Sequence, residues 1–115
     1  MKDPRLEKLA RLLTEYSVAL KPREVVSIQG DSCAAPLIRE CYRAALRRGA
    51  FVTTDLRVDG MAEVFMAEAN RDQLKWVSPF ARFKLRTVDA LISFWGEENT
   101  KALSNVDPKR MAAAS

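Results

Sequence analysis

Val25-Val26-Ser27-Ile28-Gln29-Gly30 and, one helix later, Ala50-Phe51-Val52-Thr53-Thr54-Asp55-Leu56 are the two stretches that decide the fold. The first is a short β-branched run closed by a glycine, which reads as a buried strand. Gly30-Asp31-Ser32 then turns the chain into a helix. Pro36 must lie in the first turn of that helix, so it starts between Cys33 and Ala35. Leu37, Ile38, Cys41, Tyr42, Ala45 and Leu46 form its expected buried face, and Arg39, Arg43 and Arg47 its solvated side. Arg47-Arg48-Gly49 stops it, with cations in the last turn and a glycine at the C′ position. Ala50–Leu56 is the second strand. A strand, a helix and a strand in this order form a βαβ unit with parallel strands and a right-handed crossover.

Upstream of this unit, Asp3-Pro4 supplies an N-cap oxygen and a proline at the first helical position. Leu6, Leu9, Leu13, Tyr16 and Leu20 recur at helical spacing, and Pro22 is expected to end that helix. Downstream, residues 61–70 and 72–77 read as mostly helical. Ser78-Pro79 opens a helix to about Thr87, and Val88 to Trp95 forms a third strand, apolar enough to be covered on both faces. Asp107-Pro108 predicts a last helix running through Met111-Ala112-Ala113-Ala114. The expected architecture is α/β: a three-layer sandwich with a short, mostly parallel sheet of at least three strands flanked by helices. Residues 1–115 form one domain.

The composition narrows the chemistry. At 48% hydrophobic and 30% charged residues, the chain is an ordinary globular one and not a disordered one. No apolar run approaches the ~20 residues of a membrane span, and the N-terminus shows no signal-peptide core. There is no histidine. That removes the Ser-His-Asp and Cys-His constellations, the HExxH zinc site and any base that titrates naturally near neutrality. Cys33 and Cys41 read as reduced, cytoplasmic thiols. On one helix they would stand about 12 Å apart, too far to bridge.

Four groups of residues invite a functional reading, and each has a plainer one. Gly30-Asp31-Ser32 lies where a strand feeds a helix, a common place for phosphates, yet no GxGxxG or GxxxxGK[ST] accompanies it. A turn with a helix cap accounts for it. The carboxylates Asp31, Asp55, Asp59, Glu97 and Glu98 could meet at the sheet edge around a hard metal, but acids spread over loops are normally just solvated. Cys33 at a helix start lacks a histidine partner. Arg39, Arg43, Arg47 and Arg48 could touch nucleic-acid phosphates or simply complete a solvated helix face; the net charge of +4 is mild. No catalytic, cofactor-binding or metal-ligating residue is assigned to this chain, which on its own does not read as an enzyme.

The ordered set of motifs resembles a known family. Met1-Lys2-Asp3-Pro4-Arg5-Leu6-Glu7-Lys8-Leu9-Ala10, Leu20-Lys21-Pro22, Val25 to Ser32, Ala34-Ala35-Pro36-Leu37 and Gly49-Ala50 are similar to the start of thermophilic-type metalloaminopeptidases, the aminopeptidase T and aminopeptidase S group. Glu98-Asn99-Thr100, Ala102-Leu103-Ser104 and Val106-Asp107-Pro108 continue the likeness. The resemblance implies an N-terminal α/β domain of a cytoplasmic polypeptide several times longer. In the family, carboxylates and histidines of a second domain hold two divalent metals that activate water. None of those ligands carries over to this chain. The implied partner is the catalytic domain of its own polypeptide, with a homo-oligomer as a further option. Gly30 to Ser32 and Gly96 to Thr100 are the expected contact loops. Two other readings stand beside this one: a free-standing interaction domain with an exposed apolar patch, and a basic domain that binds nucleic acid through its arginines.

Overall fold

The computed structural model describes residues 3–94 and 110–114. β1 (Val25–Asp31), β2 (Phe51–Arg57), β3 (Ala90–Phe94) and β4 (Arg110–Ala114) form one sheet in the order β2-β1-β3-β4. Every neighbouring pair is parallel. The βαβ unit is present as expected, with α2 (Ala35–Arg47) crossing between β1 and β2. α2 ends in a Schellman motif: Ala50 N–H donates to the Ala45 carbonyl and Gly49 N–H to that of Leu46. Gly49 adopts φ +83°, the left-handed conformation this motif requires.

The strand alternation sorts the residues onto two faces. Val26, Ile28, Ala90, Ile92 and Phe94 join Ile38, Cys41 and Ala45 of α2 in the main core. Ala10 and Leu13 complete it from the N-terminal helix. The opposite face carries Ser27, Gln29, Leu91 and Ser93 and lies under α5 (Pro79–Thr87). All of β3 is buried, as its unbroken apolar run predicts. β2, at the sheet edge, is almost wholly exposed.

Three expectations need correction. The first helix does not run to Pro22. α1 (Pro4–Leu12) passes into a π-helical turn over Leu13–Ser17, in which Val18 N–H donates to the Leu13 carbonyl. The Thr14 hydroxyl donates back to the Ala10 carbonyl, a contact that bends helices. The buried face is therefore Ala10, Leu13, Thr14 and Val18, while Leu9 and Tyr16 of the expected stripe are exposed. In α2, Tyr42 and Leu46 are likewise exposed, because the core stripe narrows to Ile38, Cys41 and Ala45.

The third correction concerns the last element. Residues 110–114 form β4 and not a helix. Alanine favours helix, but the free edge of β3 offers a row of unpaired backbone groups, and pairing with them overrides propensity. Asp107-Pro108 lies outside the described residues.

The cap readings hold elsewhere. The Asp3 carboxylate accepts from Arg5 N–H, and the Ser78 hydroxyl from Ala81 N–H. The helical stretch after β2 resolves into α3 (Met61–Glu68) and α4 (Arg71–Lys75), the latter opened by an Asn70–Gln73 capping box.

Candidate functional site

Polar groups converge on the α5 face of the sheet. Lys84 reaches down from α5, and its Nζ donates to Gln29 Oε1 at 2.8 Å and to Asp55 Oδ2 at 3.3 Å. Gln29 Nε2 donates in turn to the Ser93 hydroxyl at 3.2 Å. The chain Asp55–Lys84–Gln29–Ser93 thus crosses β2, β1 and β3 and ties α5 to all three. It borders a groove of about 370 Å³ lined by Ser78, Phe80 and Leu91 as well. Ser27, two residues before Gln29 on the same strand, is fully buried, and its hydroxyl has no partner among the described residues.

The network holds charge and positions a helix. It offers an ammonium beside a carboxylate, but no imidazole base and no nucleophile paired to one. Sequence reasoning singled out Asp55 but missed Lys84, Gln29 and Ser93. The available signal was polarity at alternate positions of a strand read as buried: Ser27, Gln29 and Asp31.

The other candidates are placed as follows. Asp31 closes β1 and is half-buried, but its side chain makes no cap to the following turn, contrary to the expected turn and cap. Gly30 is packed so closely on β3 that a Cβ there would collide with the Phe94 carbonyl oxygen. Cys33 is exposed, whereas Cys41 is buried, and both are free thiols. Burial, with a smaller contribution from the charge of Glu40, pushes the Cys41 thiol up to about 12. Of the five carboxylates, Asp55 is engaged by Lys84, and Glu97 and Glu98 lie outside the described residues, as does the Gly96 to Thr100 loop. Among the described residues no three of His, Cys, Asp or Glu come together as metal ligands do. The donor set here does not fit a metal centre.

The arginines of α2 are partly committed to the fold. Arg48 donates from Nε at 3.0 Å and Nη2 at 2.7 Å to the Leu20 carbonyl, fastening the end of the first helical segment to the end of α2. Arg43 pairs with Glu40 at 3.3 Å. The groove between α1 and α2 mixes Arg11, Arg43 and Arg47 with Glu7, Glu15 and Glu40. Among the described residues, no helix is long and apolar enough to cross a membrane.

A parallel α/β sheet with a partly buried polar tether on one face and, among the described residues, no cluster of metal-ligating side chains defines an α/β module. Comparison with known proteins narrows the class to a family. The family described as thermophilic metalloprotease (M29) matches residues 2–115, and the chain belongs to it. The fold is similar to that of wild-type AmpT from Thermus thermophilus, with a TM-score of 0.68 and 24% sequence identity. That alignment covers 90% of this chain and 27% of AmpT, so the chain spans about a quarter of that relative's length. No match was found among curated protein sequences.

Proposed function

We propose that this chain is the non-catalytic N-terminal domain of a metal-dependent aminopeptidase, a hydrolase that removes N-terminal residues from peptides in the cytoplasm. One observation carries the reading: a metalloprotease family match spans the chain, yet its described residues bring together no set of metal ligands. The 27% coverage of AmpT fits a domain that is one part of a longer enzyme. Divalent metals and the water they activate then belong to the remainder of the polypeptide.

In this role the domain packs against the catalytic part and helps shape access to its site. Open α/β sheets expose their functional edge at the C-terminal ends of the strands. Gly30, Asp31 and Ser32 lie at that edge, where Gly30 of β1 packs closely against Phe94 of β3. The test is an assay of the purified 115-residue chain against aminoacyl-p-nitroanilides, with and without added divalent cations. The expected result is no turnover in either condition. Metal-dependent release of p-nitroaniline by the chain alone would overturn the proposal.

A further inference from the structure

β2 is an open sheet edge without the usual guards. Among the described residues it pairs with β1 alone, one-to-one over Phe51–Arg57, so no bulge interrupts it. All of its residues except Val52 are exposed. Its first amide, Phe51 N–H, donates to the Glu24 carbonyl. In a parallel ladder the N–H and C=O of one residue point the same way, and the direction alternates along the strand. Phe51, Thr53 and Asp55 therefore face β1 with their backbone groups, whereas those of Val52, Thr54 and Leu56 point away from the sheet. Natural proteins blunt such an edge with lysine, proline, a bulge or a covering element, because a bare edge is a template for a further strand. β2 contains no lysine and no proline, and Asp55, one of its two charged residues, is engaged by Lys84.

A groove flanks this edge on each face of the sheet. On the α2 side, Ile38, Arg39, Tyr42, Thr54 and Leu56 line about 330 Å³. On the α5 side, Val25, Thr53, Asp55, Phe83, Lys84 and Val88 line about 310 Å³. Side chains of a strand alternate between the two faces, so a strand laid along β2 sends successive residues into the two grooves. Charge narrows the occupant further. Asp55 and Lys84 neutralise each other in the α5-side groove, and its other walls suit an apolar side chain. Exposed Arg39, in the α2-side groove, forms no ion pair among the described residues. We infer that the outer edge of β2 binds an extended peptide as an added strand, with apolar side chains entering the two grooves in turn and an acidic side chain facing Arg39. The backbone groups of Val52, Thr54 and Leu56 supply the ladder, and the grooves with Arg39 supply the selectivity. This inference does not rest on the aminopeptidase reading.

Fluorescence anisotropy of the 115-residue chain with a fluorescein-labelled peptide, Thr-Val-Leu-Thr-Glu-Val-Thr, tests it. The peptide carries Leu and Glu on one face and both Val on the other, and saturable binding is expected. Methylating its backbone nitrogens at alternate positions separates a paired strand from a merely apolar contact: one alternate set should abolish binding and the other should leave it. Thr54→Pro removes an outward N–H and spares the β1 ladder, and it should weaken binding by about tenfold. Arg39→Glu should also weaken it, and replacing the peptide's Glu by Lys should restore binding to that variant. The amides of Val52, Thr54 and Leu56 should exchange with deuterium rapidly in the free chain and slowly in the complex. Circular dichroism and urea midpoints near the wild-type values show that each variant is folded, and the methylated peptides test the wild type itself should Thr54→Pro not fold. Absence of saturable binding, equal effects of the two methylation sets, binding indifferent to the Arg39 charge, or slow exchange at those three amides in the free chain would each overturn the inference.

Discussion

Replacing Gly30 by alanine tests the close approach of β1 to β3. Gly30 is paired with Phe94 across the two central strands. A Cβ at Gly30 would overlap the Phe94 carbonyl oxygen and stand 3.0 Å from Phe94 Cβ and 3.1 Å from its carbonyl carbon. Carbon atoms prefer separations of about 3.5–4.0 Å, so β1 and β3 must part locally. The obstacle is backbone, which cannot swing aside as a long side chain does. Overpacking a well-filled interior costs about 1–3 kcal/mol, and a backbone obstacle belongs at the upper end. Alanine also restricts the unfolded chain, which returns about 0.4–1 kcal/mol. The net expectation is a loss of about 2 kcal/mol. In a urea titration followed by circular dichroism, the midpoint should fall while the m-value stays constant. A loss below about 0.5 kcal/mol, the range of ordinary surface substitutions, would refute the close contact and with it the β1–β3 register.

Other expectations follow from single contacts. Arg48→Ala removes two charge-assisted bonds to the Leu20 carbonyl and should cost about 2 kcal/mol; Arg48→Lys should recover only part, because it lacks the two-pronged guanidinium, as urea midpoints would show. Ser27→Ala deletes a buried hydroxyl that has no partner among the described residues and should stabilise the chain by about 1 kcal/mol in the same assay. The Cys41 thiol ionises near 9.0 when unfolded but is held up to about 12 in the fold. Its stabilising contribution is therefore complete below pH 9 and is lost as pH rises towards 12. Wild type should lose about 1.4 kcal/mol more than Cys41→Ala between pH 8 and pH 10, measured by paired urea titrations. Equal losses would mean that the thiol titrates freely.

Much of the fold was legible because local chemistry and tertiary packing agree. The β-branched run before Gly30, the proline in the first turn of α2 and the Arg47-Arg48-Gly49 stop each have one physical outcome, and the structure shows it. The misreadings fall where a non-local partner decides. Thr14 turns its hydroxyl onto the helix backbone and shifts the buried face by a residue, which leucine spacing does not reveal. Residues 110–114 carry a helical composition, but the open edge of β3 makes them a strand. The Lys84 tether joins residues 55 and 29 positions apart in sequence, so no local motif announces it. The apolar residues of α3 look like core in sequence and lie on the surface in the structure.

The proposed function makes this chain one domain of a longer metalloaminopeptidase. The most direct measurement is the size of the native protein in its source cells, detected with an antibody raised against residues 3–94. The expected result is a band several times larger than 12.9 kDa, and that species should show metal-dependent aminopeptidase activity. A single band at 12.9 kDa would contradict it and make the chain a free-standing interaction domain.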